Sequence, residues 1–182
     1  MFGAMLIDCN ARRLEIVNEP TYTFGSEDNL RAYQFAKHLD REYAPTSIHG
    51  VILDGEPIAV FGDSGGCTGV HANSALVLGD NLFLAVGRHV VCLQIAPFKF
   101  EWALQTDTAT CFGIHYSPLR DALISHGELE IARISKSGTV LWSSSGADIF
   151  TEGFALRQNH IEALDFNRHE YHFDYADGTL RA

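Results

Sequence analysis

Residues 61–67 read FGDSGGC, a glycine-rich stretch in which Ser64 lies between an aspartate and two glycines. A serine hydroxyl attacks a carbonyl carbon when a neighbouring base takes its proton, and a carboxylate commonly orients that base. The chemistry that this stretch could perform is therefore acyl transfer, with Ser64 as the candidate nucleophile. Downstream, His71, His89 and His115 could serve as the base only if the chain folds back onto Ser64.

The letters GDSGG resemble the nucleophile loop of chymotrypsin-like serine proteases, and the resemblance implies that Ser64 is the nucleophile. In that family the histidine and the aspartate precede the serine, whereas only His38 and His49 lie upstream here. The residues before Ser64 are also too few for the two β-barrels of that family, and Cys67 stands where the family has proline. We interpret the match as coincidental and predict that residues 62–69 form a flexible loop between strands.

Histidines and carboxylates cluster in two other places. His126, Glu128 and Glu130 have the same parity in a predicted strand, so one sheet face could offer them to a metal ion or as an acid/base pair. A solvated strand face is the alternative, and it is the one that we expect. In the segment HEYH, His169 and His172 would point to opposite sides of a strand and could not bind one ion together. We expect neither a metal site nor a cofactor.

Two patterns recur along the chain. The string CTGVH at residues 67–71 returns as CFGIH at residues 111–115, and Trp102 and Trp142 each end an apolar hairpin. In a last copy, Phe173 stands where the others have tryptophan. A period of roughly 40 residues built from strand hairpins is typical of propeller blades and related β-arrays.

The repeat also predicts a ligand site. His71 and His115 fall at equivalent places in the two copies, so they could close each blade or line a shared central channel. Pockets in propellers form at that axis and in its loops. We therefore take Ser64, His71 and His115 as the candidate ligand-binding residues.

The segment ELEIARISKSGTVLW at residues 128–142 resembles the repeat of the pyrroloquinoline-quinone-type β-propellers, where a hairpin carries an apolar strand, a glycine turn and a closing tryptophan. The resemblance extends over residues 67–175. It implies blades that stack on one another, and this chain has room for about three to four of them. None of the family's cofactor residues is carried over.

One segment has a helical period, because apolar residues recur at i, i+3, i+4, i+7 and i+11 after Ala32. Ser26 is a plausible N-cap, and Pro45 would end the helix. We predict an α-helix near residues 27–43, inserted into a mainly β, propeller-like fold of antiparallel hairpin repeats. The chain is expected to form a single domain, with strands and the helix in residues 1–61 and the hairpin repeats in residues 67–182.

The charge balance limits the partners. Thirteen lysines and arginines face 23 aspartates and glutamates, giving a formal net charge of −10. This charge repels phosphate backbones and anionic lipid headgroups, so we expect neither nucleic acid nor membrane as a partner, whereas a basic protein would be attracted. The start of the sequence lacks the basic and apolar regions of a secretion signal, and the four cysteines contain no CxxC pair, so we expect a cytoplasmic protein with reduced thiols. A homodimer could cover the strand edges of an incomplete ring.

No complete set of catalytic residues is evident in the sequence, so we expect a non-enzymatic binding or interaction module that uses loops on a β-scaffold. One version is an immunity- or inhibitor-type protein that neutralises a basic protein partner. Two alternatives stay open. The first is a small serine hydrolase that uses Ser64, and the second is a ligand-binding sensor domain whose pocket contains His71 and His115.

Overall fold

The computed structural model describes residues 4–9 and 11–181, and every regular element in these ranges is a β-strand. Four sheets follow one another along the chain. The first has five strands in the spatial order β1-β2-β4-β5-β3, with the bounds β1 (Ala4–Cys9), β2 (Arg12–Asn18), β3 (Phe35–His38), β4 (Ser47–Leu53) and β5 (Glu56–Asp63). Across the ranges that the structure describes, no helical segment has the length and apolar character that a membrane span requires.

The other three sheets are antiparallel meanders in which sequence neighbours pair. The second sheet contains β6 (Ala75–Leu78), β7 (Asn81–Val86), β8 (His89–Gln94) and β9 (Lys99–Gln105). The third contains β10 (Cys111–Ser117), β11 (Ala122–Gly127), β12 (Glu130–Ile134) and β13 (Val140–Ser145). The fourth contains β14 (Gly153–Leu156), β15 (Ile161–Leu164) and β16 (Glu170–Phe173). The prediction of a mainly β fold of antiparallel hairpins is confirmed.

The sheets stack face to face in chain order, because their strands are apolar on both sides. In β7, Leu82 and Leu84 belong to a core cluster with the first sheet, whereas Phe83 and Ala85 belong to a cluster with the third sheet. This alternation follows from the two-residue period of a strand. A third cluster joins the third and fourth sheets. Stacked meanders of this kind are the arrangement of propeller blades. The first cluster draws on both predicted parts of the chain, and their division at residues 61–67 stays a prediction.

The predicted helix near residues 27–43 is wrong, because this segment consists of turns, bends and the short strand β3. Asn29 explains the difference locally. Its side chain accepts a hydrogen bond from the backbone N–H of Thr23 and donates to the carbonyls of Thr23 and Ser26. Such bonds offer the backbone an alternative to a helix. The apolar positions do not share one buried face either, since Tyr43 is 65% exposed.

Residues 19–34, which precede β3, cover part of the face of the first sheet that points away from the second, whereas Phe35 packs against the core that the two sheets share. Glycine occurs on this face where an aromatic side chain lies directly above the backbone. A Cβ atom at Gly50 would overlap the hydroxyl of Tyr33, and one at Gly62 would lie 2.5 Å from the ring of Phe24. The Tyr33 hydroxyl in turn donates a hydrogen bond of 2.6 Å to the buried Glu19. Aromatic side chains before β3, such as Phe24 and Tyr33, therefore cover this face, and β3 itself is part of the sheet.

The tryptophan repeat has a structural counterpart. Trp102 lies on β9 and Trp142 on β13, the fourth strand of its sheet in each case, and each directly follows a residue that a shift in strand register leaves unpaired. Phe173 lies instead on β16, the third strand of the fourth sheet. It is therefore not the counterpart of the tryptophans, contrary to the sequence interpretation.

Candidate functional site

The glycine-rich stretch ends β5 and begins the connection to β6. Gly62 and Asp63 are the last residues of β5, so the predicted loop over residues 62–69 starts only at Ser64. Ser64 is buried, and its hydroxyl donates a hydrogen bond of 2.6 Å to Asp40 Oδ2. It accepts a hydrogen bond of 2.8 Å from Arg88 Nη2, which also pairs with Asp40. Neither partner of this hydroxyl is a histidine.

The electrostatics around Ser64 disfavour proton transfer. The pKa of Asp40 is lowered, first by the hydrogen bond from Ser64, then by the backbone N–H of Glu42 and by Arg88. A carboxylate with a lowered pKa is a weaker base, so Asp40 orients the hydroxyl without activating it. The Ser64 hydroxyl therefore has a hydrogen-bond acceptor and a hydrogen-bond donor as partners, and its role here is structural.

His89, the histidine that follows Arg88 in the sequence, is bound by Asp63 and not by Ser64. The fully buried carboxylate of Asp63 accepts hydrogen bonds of 2.6 Å from the backbone N–H of Arg88 and 2.8 Å from His89 Nδ1. Within the described residues, His89 therefore pairs with Asp63, and the histidine–serine bond of a catalytic triad is missing. Asp63 instead connects the end of β5 to the turn between β7 and β8 of the next sheet.

An equivalent aspartate follows the fourth strand of the second sheet. Asp107 is buried, and its Oδ2 accepts hydrogen bonds from the backbone N–H groups of Leu129 and Glu130, at 2.8 and 2.9 Å, in the turn between β11 and β12. After β13, Asp148 accepts a hydrogen bond of 2.7 Å from the side chain of Asn167, in the turn between β15 and β16. The sequence analysis missed these aspartates, although Asp63 and Asp107 stand in register in the two copies of the cysteine–histidine string.

Three of the histidines singled out from the sequence lie around one cavity. Its volume is about 480 Å³, and it is lined by His71, Asn73, Phe112, His115, His126 and Thr151. His115 lies on β10 and His126 on β11, whereas His71 precedes β6 in a turn. His71 and His115 therefore do not hold equivalent positions in their sheets, but the fold brings them to the same cavity. Ser64 is not among the lining residues.

Hydrogen bonds fix the rings of two of these histidines. His71 Nδ1 accepts a hydrogen bond of 3.2 Å from the backbone N–H of Asn73, so its Nε2 carries the proton and donates to the carbonyl of Phe112 at 2.8 Å. His126 Nε2 lies 3.0 Å from the carbonyl of Phe150, to which it donates. The Nδ1 atom of a neutral His126 is then an acceptor.

His115 differs from the other two, because its Nε2 atom is buried and has no hydrogen-bond partner. Its ring centroid lies 4.5 Å from that of Phe154, and the ring of His126 stacks on the same phenylalanine at 4.5 Å. Phe112 contacts His126 edge-on at 5.5 Å. The site therefore combines imidazole nitrogens with aromatic packing surfaces.

Two of the three cavity histidines, His115 and His126, are uncharged at neutral pH. Burial lowers the pKa of His115 to about 4, with smaller contributions in the same direction from the neighbouring His126 and His71. Burial also lowers the pKa of His126 to about 4, against the opposing effects of the Phe150 carbonyl and Asp107. Neutral imidazoles offer hydrogen bonds without attracting an anion.

The predicted trio His126, Glu128 and Glu130 is not brought to one point. β11 ends at Gly127 and β12 begins at Glu130, so a turn interrupts the assumed strand and its alternation. Glu130 accepts a hydrogen bond of 2.7 Å from the hydroxyl of Ser143. Among the residues that the structure describes, the group whose metal-ligating atoms lie within 4.8 Å of one another is His160, Glu162 and His172.

Sequence reasoning missed this group because its members lie on two strands. The available signal was the hairpin of β15 and β16, whose register places Glu162 opposite His172. His169, the other histidine of the HEYH segment, lies in the preceding turn and contacts Asp165 at 3.2 Å.

Comparison with known proteins identifies no family. No protein-family model and no curated protein matches the sequence. Among solved structures, BamB from Moraxella catarrhalis is similar, with 10% sequence identity and a TM-score of 0.31. The match covers 92% of this chain and 69% of the BamB chain.

Proposed function

We propose that this protein is a non-enzymatic binding module on a propeller-type scaffold of four β-sheets, and that its ligand binds in the cavity around His71, His115 and His126. The observation that carries the proposal is the buried, unpartnered Nε2 atom of His115 beside this cavity. A buried polar atom without a partner costs about 1–3 kcal/mol. A ligand that draws the His115 ring towards the cavity and forms a hydrogen bond with this nitrogen removes that cost, so the site favours occupation.

The chemistry of the walls defines the class of ligand. Because the pKa values of His115 and His126 are about 4, these two imidazoles offer no positive charge to an anion at neutral pH. Phe112 lines the cavity and provides an apolar surface next to His126, and Phe154 packs against the rings of His115 and His126. A small, uncharged heteroaromatic molecule fits these features, since its ring would stack and its polar atoms would reach His115 Nε2 and His126 Nδ1.

Ligand-observed NMR with defined fragments tests the proposal. The full chain is mixed at pH 7.5 with indole, 7-azaindole and quinoline, and with indole-3-carboxylate as the charged counterpart. We expect saturation transfer to the neutral fragments and a weaker signal for the carboxylate. In His115→Phe the stacking surface is kept and the nitrogen is lost, so binding should weaken.

His169→Asn is the matched control, because His169 is an exposed histidine of the fourth sheet outside the cavity and its variant should bind as the wild type does. Equal binding to the wild type and to His115→Phe would contradict the site, as would the absence of binding by all neutral fragments. A melting temperature of unliganded His115→Phe that is at or above that of the wild type would confirm that a loss of binding is local.

A second candidate function is supported by the surface of residues 19–46. Leu30 is 91% exposed and follows Glu27 and Asp28, and Tyr43 is 65% exposed beside Glu42. Large apolar side chains next to carboxylates suit a basic protein partner, as an immunity- or inhibitor-type protein would have. The test is capture from a native lysate at low salt, with a Leu30→Ser, Tyr43→Ser double variant as the control. A basic protein that the wild type captures and the double variant does not would support this function, whereas equal recovery or no basic protein would contradict it.

A further inference from the structure

The outer face of the fourth sheet carries a histidine–glutamate–histidine cluster that the proposed ligand cavity does not use. Glu162 on β15 and His172 on β16 are direct cross-strand partners. His160 precedes β15 and is two residues from Glu162, so it lies on the same face. Ile161 and Phe173, of the opposite parity, belong to the core cluster with the third sheet. The three polar side chains therefore face away from the stack.

The side chains converge closely enough to share one ion. The ring centroids of His160 and His172 lie 4.1 Å apart, and one ligating atom from each of the three residues lies within 4.8 Å of the others. His160 Nε2 is buried and has no hydrogen-bond partner. Two imidazoles and one carboxylate are a common donor set for Zn²⁺, with bonds of about 2.0–2.2 Å to nitrogen and oxygen.

We propose that His160, Glu162 and His172 form a binding site for a divalent late transition-metal ion, with Zn²⁺ as the reference ion. Water completes the coordination, because three protein ligands leave a fourth position open. Glu170 contacts His172 Nε2, and a hydrogen bond donated there leaves His172 Nδ1 without a proton. A carboxylate that orients a ligating histidine in this way is a frequent outer partner in zinc sites.

Arg157 competes with the ion for Glu162. Its guanidinium donates hydrogen bonds of 2.9 and 2.8 Å to the two oxygens of that carboxylate. The arginine side chain is 54% exposed, and exposed ion pairs contribute little stability, so the ion can displace it. The competition gives the site a direct test, because removal of Arg157 frees the carboxylate and removes a positive charge beside the ion.

Isothermal titration calorimetry of the metal-free full chain with ZnCl₂ measures the site. We expect one dominant ion per chain. His160→Asn and His172→Asn should each weaken binding by about tenfold or more, and Arg157→Gln should bind more tightly than the wild type. His169→Asn, in the turn of the same hairpin, should bind as the wild type does. Unchanged affinity in both histidine variants, or weaker binding by Arg157→Gln, would overturn the proposal.

NMR of the wild-type imidazoles tests whether His160 and His172 bind the ion, and this test does not depend on the folding of any variant. Long-range ¹H–¹⁵N spectra report both ring nitrogens of each histidine during the titration. The first equivalent of Zn²⁺ should shift the His160 and His172 signals and leave those of His71 and His169 in place. Shifts that begin elsewhere, or that are spread over the histidines without order, would show adventitious binding and refute the site.

Discussion

The carboxylate of Asp63 accepts a hydrogen bond of 2.6 Å from the backbone N–H of Arg88. This bond connects the end of β5 in the first sheet to the turn between β7 and β8 in the second sheet. Glycine is required beside it, since a Cβ atom at Gly87 would lie 2.5 Å from the Asp63 side chain. Asp107 repeats the connection to the third sheet. The aspartate of the GDSGG stretch thus has a structural role that is independent of the serine.

Asp107→Asn should destabilise the fold by about 3 kcal/mol, because an amide NH₂ group would face backbone N–H donors that a carboxylate oxygen now accepts. Urea unfolding followed by tryptophan fluorescence measures the loss. Asp148→Asn serves as the control, since Asp148 is half-buried and its Oδ2 accepts one side-chain bond from Asn167. An equal decrease in the free energy of unfolding in the two variants would show that the buried hydrogen bonds of Asp107 stabilise the fold no more than the exposed bond of Asp148 does.

Trp102 connects the second sheet to the third. Its Nε1 donates a hydrogen bond of 3.2 Å to the carbonyl of Lys136, and its ring covers Gly138, where φ is 84°. Trp142 and Gly178 repeat the arrangement between the third and fourth sheets, with a hydrogen bond of 3.0 Å from Trp142 Nε1 to the carbonyl of Tyr175. The two tryptophans therefore join each of these sheets to the next.

Gly138→Ala should destabilise the protein more than Gly55→Ala. Both glycines have positive φ, 84° and 89°, so both alanines incur about 1–2 kcal/mol of backbone strain. A Cβ atom at Gly138 would also lie 2.7 Å from the Trp102 ring, whereas no atom lies within 4 Å of the one at Gly55. We expect an additional loss of about 2 kcal/mol for Gly138→Ala in urea unfolding. Equal losses would mean that the tryptophan moves aside freely.

Local patterns predicted the strands because alternation and turn residues are short-range signals. These local patterns wrongly predicted a helix at residues 27–43. The four-residue spacing of Phe35 and Leu39 fits one face of a helix, but it also fits a short edge strand. β3 pairs in parallel with β5, a long-range contact that no local pattern contains. The side chain of Asn29 decides the local competition by binding the backbone.

The candidate cavity was predictable only in some of its members and not in its geometry, since Ser64 does not line it. His71 and His115 were singled out through a repeated string, yet one lies in a turn and the other on β10. Their meeting depends on the stacking of two sheets. The pair Glu162 and His172 depends on the register of β15 and β16, which the turn between them sets.

Ser64 should not react with a fluorophosphonate probe in the native protein. Its hydroxyl donates to Asp40 and accepts from Arg88, and His89 is held by Asp63, so no imidazole takes the hydroxyl proton. The measurement is mass-spectrometric mapping after incubation, with heat-denatured protein as the control. An adduct on Ser64 in the native sample alone would establish an activated nucleophile and favour the serine hydrolase alternative.

The free energy of unfolding should fall as the pH is lowered from about 6.5 towards about 4. The pKa values of His115 and His126 are about 4 in the folded protein, against 6.5 for an ordinary histidine. The unfolded chain therefore binds protons first on acidification, and the folded state loses stability through this window and no further below it. Burial also lowers the pKa values of His49 and His160, so these two histidines contribute to the same fall. The carboxylates with lowered pKa values act towards the acid end, Glu162 from about 4.5 downwards and Asp40, Asp121, Asp165, Asp174 and Asp177 from about 3.8 downwards. The contribution of His115 is therefore read from the difference between the wild type and a His115 variant.

Urea unfolding at pH 7.5, 6.0, 5.0 and 4.5 measures this dependence in the wild type and in His115→Phe. The variant cannot take up the proton, so its stability should change less with pH, by roughly 3 kcal/mol over the full window. His169→Asn is the control for the substitution itself, because His169 is an exposed histidine outside the cavity. A His115→Phe curve parallel to that of the wild type would show that His115 already accepts a proton in the folded state, and that the cavity is charged at mildly acidic pH.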